Sequence, residues 1–301
     1  MALVAVAGCA AAEPAAAPEA STSRTSAPAA TADAPATTPI PSATPTLSAT
    51  PIPEAPADTG RPIPAPTRTG WVLGSRALPQ SPDGSVPPQE TPPELRDRGL
   101  PTADLLPPPT DGRFAASIET ITPAVRERMG TTWSPGCPVP LDDLRHLTVS
   151  FWGFDDRPHT GEMVVNAAVA EQVVEIFREL FQTRFPIEEM RLITTADLEA
   201  APTGDGNNTA AFVCRAARGS TAYSEHAYGF AVDVNPFQNP YVRGDVVLPE
   251  LARAYTDRSL LRPGMLVVGD PAVTAFTQRG WDWGGTWRTV RDPMHFSARG
   301  G

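Results

Sequence analysis

With 301 residues, 34 acidic against 24 basic side chains and a net charge of −10, the chain is acidic and has no basic run, which excludes nucleic acid as its partner. Length alone would allow two domains. Composition narrows this to one, because the first third is too poor in large apolar residues to fold.

The chain opens on a short apolar run, Ala2 to Ala7, that ends in Val6-Ala7-Gly8-Cys9. It is too short to span a membrane and suits the core of a signal peptide. Small residues directly before Cys9 resemble a bacterial lipobox, in which the cysteine is lipidated and becomes the mature N-terminus. An ordinary secretory cleavage nearby is the alternative. Residues 10–111 hold about two-thirds of the 36 prolines, with Ala, Thr and Ser between them, and this composition reads as a disordered tether. Trp71-Val72-Leu73 is an apolar island within it. The expected folded domain is 112–301, long enough for one core, and no later stretch is apolar enough to cross a bilayer.

In the folded part the order of elements predicts an α+β domain with a small mixed or antiparallel sheet and flanking helices. Leu144 to Phe154 alternates, with Leu147, Val149 and Phe151 on one face and His146, Thr148 and Ser150 on the other, which predicts a strand. His159 follows on an expected loop, solvated or at the rim of a site. Asn166 can N-cap a helix running to about Thr183, whose Val169, Val173, Ile176, Phe177 and Leu180 recur at helical spacing. Met190 to Thr195 reads as a short strand. Asp270-Pro271 opens a second helix that Gly280 closes. With Cys9 set aside, Cys137 and Cys214 are an even pair that an exported protein would oxidise to a disulfide; two free thiols are the other reading.

The chemistry concentrates near the C-terminus. Ser224-Glu225-His226-Ala227-Tyr228-Gly229-Phe230-Ala231-Val232-Asp233 is answered some sixty residues later by Asp292-Pro293-Met294-His295, in a chain with only four histidines. Three His/Asp ligands with an open fourth position are the arrangement of a catalytic zinc, and Asp292, three residues before His295, is placed to act as general base. An odd spacing would put His226 and Asp233 on opposite faces of an unbroken strand. Gly229 between them can supply the bend that reunites them. Two imidazoles favour zinc over a hard cation such as calcium. The segment Trp281-Asp282-Trp283-Gly284-Gly285-Thr286-Trp287 is either core or the wall of the site.

These blocks, Asn207-Asn208-Thr209-Ala210-Ala211-Phe212-Val213-Cys214-Arg215, Ser224-x-His226-x-x-Gly229-x-Ala231-x-Asp233, Gly280-Trp281-x-Trp283-Gly284-Gly285 and Asp292-x-x-His295, resemble the D-alanyl-D-alanine carboxypeptidase (VanY-like) zinc peptidases. The resemblance runs over roughly 112–298 and implies the hedgehog/DD-peptidase fold. It implies His226, Asp233 and His295 as zinc ligands and Asp292 as acid/base, a place held by Glu in several branches. It further implies Arg215 on the substrate carbonyl and Ser224 as a substrate-side hydroxyl; Tyr228 and Trp283 are expected to contact substrate. The implied substrate is the peptidoglycan stem peptide, cut by a carboxypeptidase or an endopeptidase. A non-catalytic zinc-containing domain that binds cell-wall peptide or a protein is the alternative. The expected setting is a monomer exported to the outer face of the bacterial membrane or into the wall, touching the membrane only through a lipid on Cys9.

Overall fold

Residues 70–300 are described by the structure, a computed structural model, and belong to one compact unit. Cys9 and the expected signal segment lie outside the described residues. β1 (Ala116–Thr120), β2 (Leu144–Trp152) and β3 (Pro158–Asn166) form an antiparallel sheet in that order. α1 (Pro123–Met129) follows β1, and its first turn is capped by the Thr122 hydroxyl, which accepts from the Val125 N–H. α2 (Ala170–Gln182) lies on the sheet, so that Val173, Ile176, Phe177 and Leu180 bury against Leu147, Val149 and Phe151. The expected helix start holds: Asn166 caps a 3-10 turn that leads into α2.

A second sheet, of order β4-β8-β7, carries the C-terminal motifs on β4 (Ala231–Asp233), β7 (Asp282–Trp283) and β8 (His295–Ser297). Its Val232, Trp283 and Phe296 enter the same core as α2. Phe296 stacks on Phe276 of α4 (Pro271–Thr277) at 3.8 Å, which fixes the strand that bears His295. A hairpin of β5 (Tyr241–Arg243) and β6 (Val246–Leu248) bridges through Val242 to Arg291. The fold is α+β with small antiparallel sheets.

Three expectations change. Of the segment expected as a tether over 10–111, the described part from residue 70 on is a strap packed on the domain. Trp71, Leu95, Phe237, Val247, Leu251 and Tyr255 share one apolar cluster. The strap's polar groups are satisfied by the domain: the Trp71 indole donates to Asp205, and the Thr91 hydroxyl donates to the Leu251 carbonyl and accepts from the Ala254 N–H. Proline-rich backbone needs few ladder partners, so this segment folds by side-chain anchoring, which composition does not reveal. Met190 to Thr195 is not a strand. The segment is held by side chains, with Asn208 accepting from the Arg191 N–H, and α3 (Thr195–Glu199) begins where the strand was expected to end. His159 lies on β3 and is buried at 3% exposure, not on a solvated loop, because Asp104 of the strap (2.7 Å) and Asp155 (3.0 Å) close over its two ring nitrogens.

Candidate metal centre and catalytic residues

His226 is set on a 3-10 turn, Glu225–Tyr228, that Ser224 caps through its hydroxyl. Gly229 ends the turn at φ 75°, and a Cβ there would meet the Asn166 nitrogen at 2.5 Å. Only glycine allows the chain to reverse this close to β3, and the reversal feeds β4. Asp233 then pairs across the sheet directly with His295 of β8, a register that puts both side chains on one face.

Three donor atoms converge there. His226 Nε2 lies 3.2 Å from Asp233 Oδ2 and 3.2 Å from His295 Nδ1, and His295 Nδ1 lies 3.1 Å from Asp233 Oδ1. Tetrahedral zinc with bonds of about 2.0–2.1 Å separates its ligands by about 3.3 Å, so the spacing fits that ion. The tautomer also fits. His226 Nδ1 donates to the Ala211 carbonyl at 2.5 Å, so in the neutral ring Nε2 presents a bare lone pair to the cluster. His226, Asp233 and His295 are a group able to hold a metal ion.

Electrostatics match this geometry. Burial opposes ionisation of Asp233, but the charges and hydrogen bonds of His226 and His295 outweigh it and hold the carboxyl well below the usual range. Burial likewise opposes a charge on His295, yet the Asp233 carboxylate raises its pKa. Asp292 behaves oppositely: burial, then the negative charge of Asp233, push it up to about 7. Its Oδ1 is buried without a hydrogen-bond partner.

The turn that carries Asp292 is tightly specified. The His295 N–H donates to the Asp292 carbonyl at 3.0 Å, and the Trp283 indole donates to the Pro293 carbonyl at 2.8 Å. A Cβ on Gly284 would come within 2.5 Å of the Asp292 carbonyl oxygen, so glycine is required for this approach.

The remaining expected residues divide. Arg215 is exposed on the segment after Cys214, and its charge acts on both Asp292 and His295. Cys137 and Cys214 form the disulfide, with Cα atoms 5.9 Å apart. Tyr228 is half-buried, edge-on to Tyr223 and beneath the Arg299 guanidinium. Ser224 caps the His226 turn. Trp283 departs from its expected place on substrate: it is 5% exposed and belongs to the core, where it supports the Asp292 turn. An aromatic beside the three-residue cluster is Trp287, whose ring lies 5.6 Å from that of His295 and whose indole donates to Asp282. The Trp-rich segment signals an aromatic wall but not which ring forms it.

Residues 218–298 match the model of a peptidase family described as D-alanyl-D-alanine carboxypeptidase. That bears out the family resemblance over a segment that contains His226, Asp233, Asp292 and His295. No curated protein and no solved structure matches the chain.

Proposed function

We propose that this protein is a zinc-dependent peptidase that hydrolyses peptidoglycan stem peptides, at the D-Ala-D-Ala end or within the stem. The observation that carries the reading is the convergence of His226 Nε2, Asp233 and His295 Nδ1 at 3.1–3.2 Å, next to Asp292, whose buried Oδ1 has no hydrogen-bond partner. The peptidase family match over 218–298 supports the reaction class. His226, Asp233 and His295 would hold the ion. Zinc bound there supplies a Lewis acid and lowers the pKa of a water toward about 7.

The chain's own residues do the rest. Asp292 receives the proton of the attacking water and delivers it to the departing amine, a role suited to a carboxyl held near neutrality. With a dication held by these ligands, the Asp233 charge would be offset and Asp292 would sit below its metal-free value, which would favour its base form. Arg215 brings positive charge to the oxygen that becomes negative in the transition state. Trp287 shields the His295 side of the site from water. We place the protein on the outer face of the membrane, held by a lipid on Cys9 and acting as a monomer.

The test is digestion of purified peptidoglycan with and without a chelator, the released fragments being identified by mass. Chelator-sensitive release of D-Ala or of stem fragments is expected. Asp292→Asn should keep its zinc and lose roughly 10²- to 10⁴-fold in rate. A protein that holds zinc and binds stem peptide but releases nothing is a binding module and not a hydrolase.

A further inference from the structure

The family match begins at residue 218, yet the ligands inside it lean on chain outside it. Ala210 pairs its backbone with Asp233 in both directions, at 2.9 and 3.1 Å, and Ala211 accepts from His226. Two residues beyond Asp233, the fully buried Asn235 takes a left-handed φ of 44°, which is uncommon for a residue with a side chain. Its amide holds that conformation by donating to the Pro186 carbonyl at 2.7 Å and by accepting from the Glu188 N–H at 3.4 Å. Both ligands from the first motif therefore rest on segment 205–211, and the strand end that bears Asp233 rests through Asn235 on 186–189 as well.

Both segments are gripped by one strap residue. Arg98 is 2% exposed, and its guanidinium makes a two-pronged pair with Glu188 at 2.8 and 2.5 Å. A third bond runs from the same guanidinium to the Asp205 carbonyl at 2.8 Å, and its plane lies 4.2 Å over the Phe237 ring. Thr102 adds bonds from its hydroxyl to the Ile187 and Glu188 carbonyls. The Trp71 indole takes the Asp205 side chain. A planar fork that meets a carboxylate and a carbonyl at once is a task for arginine and not for lysine.

We infer that Arg98 is a positioning residue for the metal centre: the strap locks segments 186–189 and 205–211 in register, and through Asn235, Ala210 and Ala211 this sets the geometry of Asp233 and His226. The metal part of this inference rests on the zinc reading above. Outer contacts of metal ligands typically contribute 10- to 100-fold in metal affinity, although Arg98 acts one step further out.

The experiment compares wild type, Arg98→Lys and Arg98→Met/Glu188→Met in the full chain. The double change removes both charges together and leaves no unpaired carboxylate. Zinc affinity is read by chelator competition, folding by near-UV circular dichroism, and backbone order by amide hydrogen exchange at residues 209–213 and 231–235. We expect folded proteins with zinc bound at least 5-fold more weakly, faster exchange in both segments, and a fall in kcat larger than any rise in KM. Arg98→Lys should fall between wild type and the double variant. Arg98→Lys decides the matter where the double variant does not fold. Native zinc affinity and native exchange in a folded variant would overturn the inference. Wild-type protein that takes up no zinc would defeat the zinc reading, while faster exchange in the variants would still uphold the brace.

Discussion

Two of the histidine–carboxylate clusters among the described residues, one on each of the larger sheets, are completed differently. On the first sheet, Glu162 accepts from His146 at 2.8 Å and also pairs with Arg128, so that the carboxylate has two donors from the chain. Against the raising effect of burial, those partners hold Glu162 below its usual range. On the second sheet, Asp233 faces two histidines, and among the described residues no arginine pairs with it. His226 already spends its other nitrogen on a backbone carbonyl. The first cluster is closed by an arginine, and the second leaves a place for a cation. Arg98 with Glu188 is closed in the same sense as the first, and His159 is closed by a carboxylate on each ring nitrogen, Asp104 and Asp155. The same residue types are thus satisfied by the chain where it supplies every partner, and the second cluster stops one short, as the proposed zinc site requires.

The largest effect should come from breaking the open cluster. His226→Ala and His295→Ala remove one of three ligands, and each should abolish zinc retention and hydrolysis together. Metal analysis of the purified variants is the check. Full zinc occupancy in either would show that the ion sits elsewhere and that the two clusters do not differ as argued.

Next in size is loss of the strap. Removal of residues 1–69 should leave an active protein, whereas removal of residues 1–111 should not fold. The longer cut strips Arg98 from Glu188, and an unpaired buried charge costs about 3–5 kcal/mol, while the cut also takes Trp71 and Leu95 away from Phe237 and Tyr255. Set against a total stability of about 5–15 kcal/mol, the combined loss is decisive. Cooperative thermal unfolding of the protein lacking 1–111, at a normal midpoint, would show that the closed Arg98 pair is dispensable.

A third effect separates the clusters by pH in metal-free protein. Asp292 ionises near pH 7 when folded against 3.8 ordinarily, so the folded state holds its proton longer and stability falls as pH rises from about 4 to about 7. His295 acts in the same direction. Its raised pKa contributes stability below its ordinary 6.5 that is lost as pH climbs through the raised value. Asp233 and Glu162, both depressed, contribute above their ordinary values and lose that contribution in acid. Chelated wild type should therefore lose stability on approach to neutrality, by a few kcal/mol at most, and Asp292→Asn should lose less. Denaturant midpoints at pH 5 and pH 8 measure this, and equal slopes for both proteins would contradict the raised carboxyl. Zinc should reverse the loss.

How much of this was legible in the sequence follows from which contacts are local. The strand over Leu144 to Trp152, the Asn166 cap and the Asp270-Pro271 helix start are written in spacing and capping residues, and they are seen where expected. His226, Asp233 and His295 could be singled out because few histidines compete and Gly229 marks the bend. The strap could not be read, since its anchors lie 55 to 165 residues away in sequence and proline-rich composition points to disorder. The burial of His159 depends on Asp104 of that strap and was hidden with it. Trp283 and Trp287 were indistinguishable by composition; only the β7–β8 pairing, Trp283 opposite Phe296, sends the first into the core.

The smallest effect tests the closed cluster alone. In His146→Ala, Glu162 keeps Arg128 and loses one buried hydrogen bond, so the expected cost is about 1–3 kcal/mol. For a domain of this size that is roughly a 2–4 °C fall in midpoint per kcal/mol. Zinc content and rate per folded molecule should not change, because Glu162 and His146 lie on the first sheet, Asp233 and His295 on the second, and the two clusters share no hydrogen bond. Arg128→Met is the harsher partner change, since it takes a charge from Glu162 as well as a bond, and it should lower the midpoint further while still sparing the zinc. A normal midpoint in His146→Ala would mean that Arg128 alone satisfies the carboxylate. A loss of zinc in either variant would mean that the two sheets are coupled, and the division into a structural and a chemical cluster would fail.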